Sequence, residues 1–210
     1  MLDSPTVRLA ISGTHCSGKT TLAEDFLAAH RDYVHEPEPY EWLEEVFGEA
    51  AGGEPNVDDF LRQLELSVDR LRSYRHGAKV VAERSPVDFL AYLLALTDLR
   101  RTGRDCQMIA SAAELTVSGL ASIDLLVVLP LNDRDGIAAP ESEDLALREA
   151  MNDRLLDLIT ADEYALFGGG SPRVVEIQGA RERRLRLLEQ AAIIPTAAAG
   201  RRGLPVRGRR

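Results

Sequence analysis

The eight residues Gly13 to Thr20, GTHCSGKT, constrain this chain more than any other stretch. They match G-x-x-x-x-G-K-[ST] and stand between a branched apolar run, Thr6–Ser12, and a helical pattern from Thr20 to His30 that carries Leu22, Ala23, Phe26, Leu27 and Ala29. The strand–loop–helix setting gives the match its weight, because the chemistry needs the loop to open directly into a helix N-terminus. Gly13 and Gly18 let backbone amides close around phosphate oxygens, and the helix end adds its partial positive charge. Lys19 is placed to reach the β- and γ-phosphates, and Thr20 to offer its hydroxyl to Mg2+. The expected nucleotide-binding set is Gly13, Thr14, His15, Cys16, Ser17, Gly18, Lys19, Thr20 and Thr21, with His15 approaching the γ-phosphate.

Strand and helix patterns then alternate along the chain. Tyr33–His35 reads as a strand closed by the Pro-rich HEPEPY, Glu41–Gly48 as a short helix and Gly52–Asn56 as a connector. Val57–His76 puts Phe60, Leu64, Val68 and Leu71 on one helical face, and Ala78–Ala82 is a buried strand. Ser85 as cap, Pro86 at the first helical position and Asp88 three residues after the cap start a helix that runs to Arg100. Asp105–Leu120 is a further helix, and Ile123–Leu129 and Val174–Ile177 are buried strands. Between these two strands lie a polar loop, Asn132–Ser142, and a helix over Asp144–Ile159. The alternation predicts an α/β chain with a five-stranded parallel sheet covered on both faces, and with its phosphate loop the chain resembles the P-loop NTPases, which implies their three-layer fold with a small lid loop.

With 210 residues, 45% of them hydrophobic, the chain is expected to form one domain over residues 1–194. No run reaches the roughly 18 to 20 apolar residues of a membrane helix, and Met1–Arg8 lacks the order of a secretory signal, so a soluble, cytoplasmic protein with no membrane partner is expected. Cys16 and Cys106 share no C-x-x-C or His pairing and read as free thiols. The net charge of −9 disfavours general nucleic-acid binding. Five arginines and no acid fall in Pro195–Arg210, leaving residues 1–194 with 20 basic and 34 acidic side chains. That basic stretch reads as a disordered tail, the alternative being an arm that touches nucleic acid.

Ligands of an open parallel sheet sit beyond the carboxyl ends of its strands. Glu36 ends the second strand within HEPEPYEW, and Glu83 with Arg84 ends the third within AERS. A carboxylate facing the phosphate loop is suited to take the proton of an attacking hydroxyl, and an arginine beside it to hold the oxygens of the phosphoryl group in transfer. Asp124 precedes the apolar run of the fourth strand and stands at the far end, away from any magnesium site.

The phosphate loop, a second strand leading into Glu38-Pro39-Tyr40 or Glu36-Pro37 with Trp42 shortly after, and a third strand ending in Glu83-Arg84-Ser85 together resemble the deoxynucleoside kinases. Carried over, the resemblance implies Glu36 as general base, Glu83 with Thr20 near magnesium, and Arg84 at the transferred phosphoryl group. It also implies Gln63 and Arg70 as readers of the nucleobase, and a homodimer through the helices flanking Gln63 to Leu99. The C-terminal half is similar to the nicotinamide riboside kinases, in which a strand like IDLLVVL leads to an Asp-Gly loop and a helix. Here the loop is Asp133 to Ala139 without an arginine after the Asp-Gly, and Arg134, Arg148 and Arg154 stand as candidates for a phosphate-clamping lid. Gly179-Ala180-Arg181 resembles the backbone segment over which these kinases lay adenine.

The function implied is an ATP-dependent kinase that moves the γ-phosphoryl group to a hydroxyl of an uncharged small acceptor, a nucleoside first. The acidic segment Glu36–Asp59 argues against a nucleoside monophosphate as acceptor. A regulatory P-loop ATPase is the alternative from a different class, and the missing N-K-x-D pattern argues against a G-protein.

Overall fold

Five parallel strands carry the architecture. The computed structural model describes residues 8–48, 55–75, 77–103, 105–132, 135, 137, 139–140, 143–168 and 172–193. Strand β1 (Arg8–Ser12) runs through the phosphate loop into α1 (Lys19–Ala29). β2 (Val34–Glu36) is followed by α2 (Pro39–Phe47) and α3 (Val57–Ser73), and β3 (Val80–Glu83) by α4 (Pro86–Asp98) and α5 (Cys106–Leu120). β4 (Leu125–Val128) leads to α6 (Leu145–Ala161), and β5 (Arg173–Glu176) to α7 (Arg181–Ile193). The spatial order is β2-β3-β1-β4-β5 and every neighbouring pair is parallel. Parallel neighbours need crossover connections, and the helices supply them.

The period of two along β1 sorts the layers. Leu9 and Ile11 face α1 and α7, where they pack with Leu22, Phe26 and Leu188. Ala10, with Ala82, Leu126 and Val128, faces the other way onto Leu64, Phe89 and Met151 of α3, α4 and α6. α4 is the centre of that second layer: Pro86 through Leu93 are all buried, enclosed by α3, α5 and α6. A helix apolar on every side is a core helix. Of the pair of helices expected at a dimer surface, α4 is therefore covered within one chain, and α3 is the one with an exposed face.

Several boundaries move for physical reasons. α2 starts at Pro39 instead of Glu41, because proline at the first helical position is already set to a helical φ. α3 stops at Ser73 and not at His76; Tyr74 turns extended and sends its hydroxyl to Glu36. β2 starts at Val34, one residue later than Tyr33, and ends on Glu36, and β4 is shorter at both ends. α7 has no bounds in the sequence reading because its charged RERRLR start hides an inward face made by Arg184 and Leu188. Asp124 does stand at the start of β4, accepting the Arg8 amide at 2.7 Å. The Pro195–Arg210 tail, Thr6, Val7, Asp133 and Arg134 lie outside the described residues. Among the described residues no helix is long and apolar enough to cross a membrane.

Candidate active site

The register of the sheet brings the ends of β1, β2 and β3 to one edge, with Ile11 beside Glu83 and Glu36 beside Ala82. The chain leaves β1 there and must turn at once. At Gly13 an added Cβ would stand 2.8 Å from the Leu129 carbonyl oxygen, so no side chain fits. Gly18 caps α1 with φ 88, a left-handed conformation that suits glycine. Asp88, fully buried at the start of α4, fixes the loop's first turn: its carboxylate accepts the Gly13 amide at 2.8 Å, the Ser12 hydroxyl at 2.5 Å and the Ser85 amide at 2.8 Å.

Two arginines hold the loop from outside. Arg148 of α6 donates to the carbonyls of His15 at 2.9 Å and Cys16 at 3.2 Å. Arg184 of α7 donates to the Ser17 carbonyl at 2.7 Å, to the Gly179 carbonyl at 2.9 Å and to the Asp135 carboxylate. Turning the carbonyls outward onto cations leaves the amide side of the loop for an anion.

Inside the loop, Lys19 is 5% exposed, and burial lowers its pKa below that of a free lysine. Its ammonium lies 3.2 Å from Glu38 Oε1 and donates to the Thr14 carbonyl at 3.1 Å. The other Glu38 oxygen accepts from Arg84 Nε at 2.7 Å. One carboxylate thus bridges both cations. Burial alone would raise the Glu38 pKa, but the charges of Arg84 and Lys19 outweigh it and hold the group at about 2. Arg84 adopts φ 69 at the β3–α4 junction and bonds the Gly13 carbonyl at 3.2 Å. Its Nη2 has no hydrogen-bond partner among the described residues, and neither has the buried Ser17 hydroxyl.

Beside this cluster Thr20 donates to Glu83 Oε2 at 2.6 Å, and His35 Nε2 lies 2.8 Å from Glu83 Oε1. That hydrogen bond raises the His35 pKa. A hydroxyl and a carboxylate in contact are hard oxygen donors of the kind Mg2+ takes when phosphates and water complete its shell.

A cavity of about 860 Å³ opens from the phosphate loop toward α2 and α3, lined at its head by Lys19, Glu38 and Arg84 and further out by Phe60, Gln63 and Tyr92. A second cavity, of about 200 Å³, lies on the other side of Gly18 against Asp25, Ile137, Gly179 and Arg181.

No family model matches the chain, and no curated protein matches it by sequence. Solved structures do. NadR in complex with NAD and AMP-PNP aligns over 94% of this chain and 51% of its own, at 17% identity and a TM-score of 0.60. Thymidylate kinase from Candida albicans aligns over 89% and 91%, and deoxyadenosine kinase from M. mycoides with bound dATP over 88% and 98%, each at 14% identity and a TM-score of 0.62. The fold is that of the P-loop kinases. The chain spans about half the length of the NadR chain it matches.

On this P-loop kinase fold the sequence-expected residues divide. Gly13 to Thr21, Glu83 and Arg84 stand at the phosphate loop, and Gln63 lines the large cavity. Glu36 does not face the loop. Its carboxylate takes a bidentate pair from Arg70, both contacts at 2.8 Å, and the Tyr74 hydroxyl, so it clips α3 to β2. Arg70 is spent in that clip, stacked 4.4 Å over the Trp42 ring, and lies outside the cavity. The carboxylate at the phosphate loop is Glu38, the other glutamate of the resemblance, and the Glu-Pro pair that opens α2 was its signal. Gly179 lines the smaller cavity and donates its amide to Asp135 at 2.9 Å. Arg181 pairs with Asp25 on the surface, and Ala180 accepts the Arg184 amide at 3.0 Å. Arg148 reaches the loop through its carbonyls, whereas Arg154 pairs with Asp98 away from it. Arg184, Asp135 and Glu143 were not singled out as site residues by the sequence; their partners lie far along the chain.

Proposed function

We propose that the protein is an ATP- and Mg2+-dependent kinase that phosphorylates a hydroxyl of an uncharged small acceptor, most simply a nucleoside. The reading rests on Glu38, whose carboxylate sits between Lys19 and Arg84 at the head of the large cavity. The unpartnered Arg84 Nη2 and Ser17 hydroxyl, buried at the loop, fit the oxygens of a triphosphate. Thr20 and Glu83 would hold Mg2+, which supplies charge neutralisation at the β- and γ-phosphates.

The chain's own residues supply the rest. Lys19 and the loop amides hold the β- and γ-phosphates, and Arg84 draws electron density from the γ-phosphoryl oxygens. Glu38 accepts the proton of the acceptor hydroxyl as its oxygen bonds to the γ-phosphorus and the bond to the β-phosphate oxygen breaks, leaving ADP and a phosphate ester. With Lys19 drawn to phosphate, Glu38 loses half of the positive charge that depresses its pKa and becomes a better base. Further out, Glu41, Asp59 and Glu143 outnumber Arg62 along the cavity, which disfavours an acceptor phosphate, while the Phe60–Tyr92 stack, with ring centroids 4.4 Å apart, offers an aromatic wall. The 200 Å³ cavity at Gly179 suits the donor's base.

ADP release from MgATP, with pooled nucleosides, pooled nucleoside monophosphates, nicotinamide riboside or no acceptor, tests this reading. Turnover that needs one pool and disappears in Lys19→Ala and Glu38→Gln is expected. Slow, pool-independent hydrolysis that survives Glu38→Gln would overturn it in favour of a regulatory ATPase.

A further inference from the structure

His15 is a phosphate-loop residue whose side chain leaves the phosphates. Arg148 pins its carbonyl, Cys16 turns left-handed behind it at φ 51, and the ring lines the large cavity instead. There it tilts against Tyr92 with centroids 5.6 Å apart, next to the Phe60–Tyr92 stack. Nδ1 lies 3.2 Å from Glu143 Oε1, just ahead of α6. Burial, then the charges of Arg84 and Lys19, with Arg148 adding to them and Glu38 opposing, lower the ring's pKa to about 3. A neutral ring that meets a carboxylate at Nδ1 carries its proton there. Nε2 is then a lone pair, and among the described residues it has no hydrogen-bond partner.

A lone pair repels phosphate oxygens and calls for a donor. The hydroxyl that is phosphorylated gives its proton to Glu38, so the donor at His15 is a different group of the same molecule. Building on the proposed kinase reading, we propose that His15 recognises the acceptor: Nε2 receives a hydrogen bond from a second hydroxyl or amine of the alcohol, which makes the substrate class a diol or amino alcohol. Glu143 is the positioning residue that fixes the ring's tautomer, and it ties acceptor recognition to the segment that leads into α6.

The test is acceptor binding in the presence of AMP-PNP and Mg2+, with adenosine, its 2′-deoxy and 3′-deoxy forms, thymidine and 3′-deoxythymidine as probes. His15→Asn keeps a donor near the Nδ1 position and removes the acceptor at Nε2; His15→Gln restores an acceptor oxygen there. One neutral hydrogen bond is worth up to about tenfold in Kd. His15→Asn should weaken the fully hydroxylated probe by about that factor and leave the probe lacking the second hydroxyl unchanged, with His15→Gln recovering most of the loss. Glu143→Gln should weaken the same probe by a smaller factor, and the AMP-PNP Kd should stay within about twofold throughout. Equal binding of the hydroxylated probe to wild type and His15→Asn overturns this inference alone. A parallel loss of AMP-PNP and probe affinity in His15→Asn also overturns it, because the residue would then be structural to the loop. Absence of any probe binding to a wild type that holds AMP-PNP overturns this inference, whereas the kinase reading itself falls only with pool-independent ADP release.

Discussion

Glu36 and Glu38 stand two residues apart, are similarly buried, and each meets two partners, yet they do opposite things. Glu36 is answered by Arg70 of α3 and by Tyr74 just past its end, so its charge is consumed in fastening α3 to the sheet. Glu38 is answered by Lys19 and Arg84, two cations that an incoming phosphate also needs. A buried carboxylate is structural or chemical according to what else competes for its partners. Residue type and burial do not decide it.

The sharpest way to break this contrast is a matched pair of amide substitutions. Glu38→Gln should lower kcat by roughly 10²- to 10⁴-fold, the range for loss of a general base. Glu36→Gln should leave kcat within about threefold and show its cost in thermal stability. A large kcat loss in Glu36→Gln, measured on protein confirmed as folded by circular dichroism, would reverse the assignment.

A smaller effect tests how the loop is held. Asp88→Ala strands the Gly13 and Ser85 amides and leaves the Ser12 hydroxyl only the Ser85 hydroxyl, for a cost of about 3 kcal/mol and a Tm drop of roughly 6 to 12 °C. An unchanged Tm would mean that the loop is fixed chiefly by Arg148 and Arg184.

The pH dependence of Glu38 has a definite sign. Its folded pKa of about 2 lies below the ordinary carboxylate value, so the unfolded chain binds the extra proton and stability falls as pH drops. The Tm gap between wild type and Glu38→Gln should be widest near neutrality and close between about pH 5 and pH 2. A gap independent of pH would show that the carboxylate is not paired as described. At the small end, Arg154→Ala removes only a surface pair with Asp98, away from both cavities; MgATP affinity should change less than about twofold and Tm should not move.

What could be read in advance follows the range of each interaction along the chain. The phosphate loop, its flanking strand and helix, the Ser85–Asp88 cap and the order of strands and helices depend on neighbours a few residues apart, and the sequence carries them. Choosing between Glu36 and Glu38 depends on Arg70 and Tyr74, 34 and 38 residues away, one in the last turn of α3 and the other just past its end, and these become meaningful only once α3 lies against β2. Arg184 was less legible still. Its contact with the Ser17 carbonyl spans 167 residues and is hidden in a charged run that looks solvent-facing.

Because a single carboxylate bridges Lys19 and Arg84 and offsets one of their two charges, the pocket comes with its own counter-ion. On the proposed kinase reading, a triphosphate that takes Lys19 draws it off this carboxylate, while Arg84 offers its unpartnered Nη2 without giving up its pair. On that reading the same exchange works as an interlock: the carboxylate that would accept the proton is masked while the donor is absent and freed once it is seated. In such a pocket the order of events is written into the ion pairs.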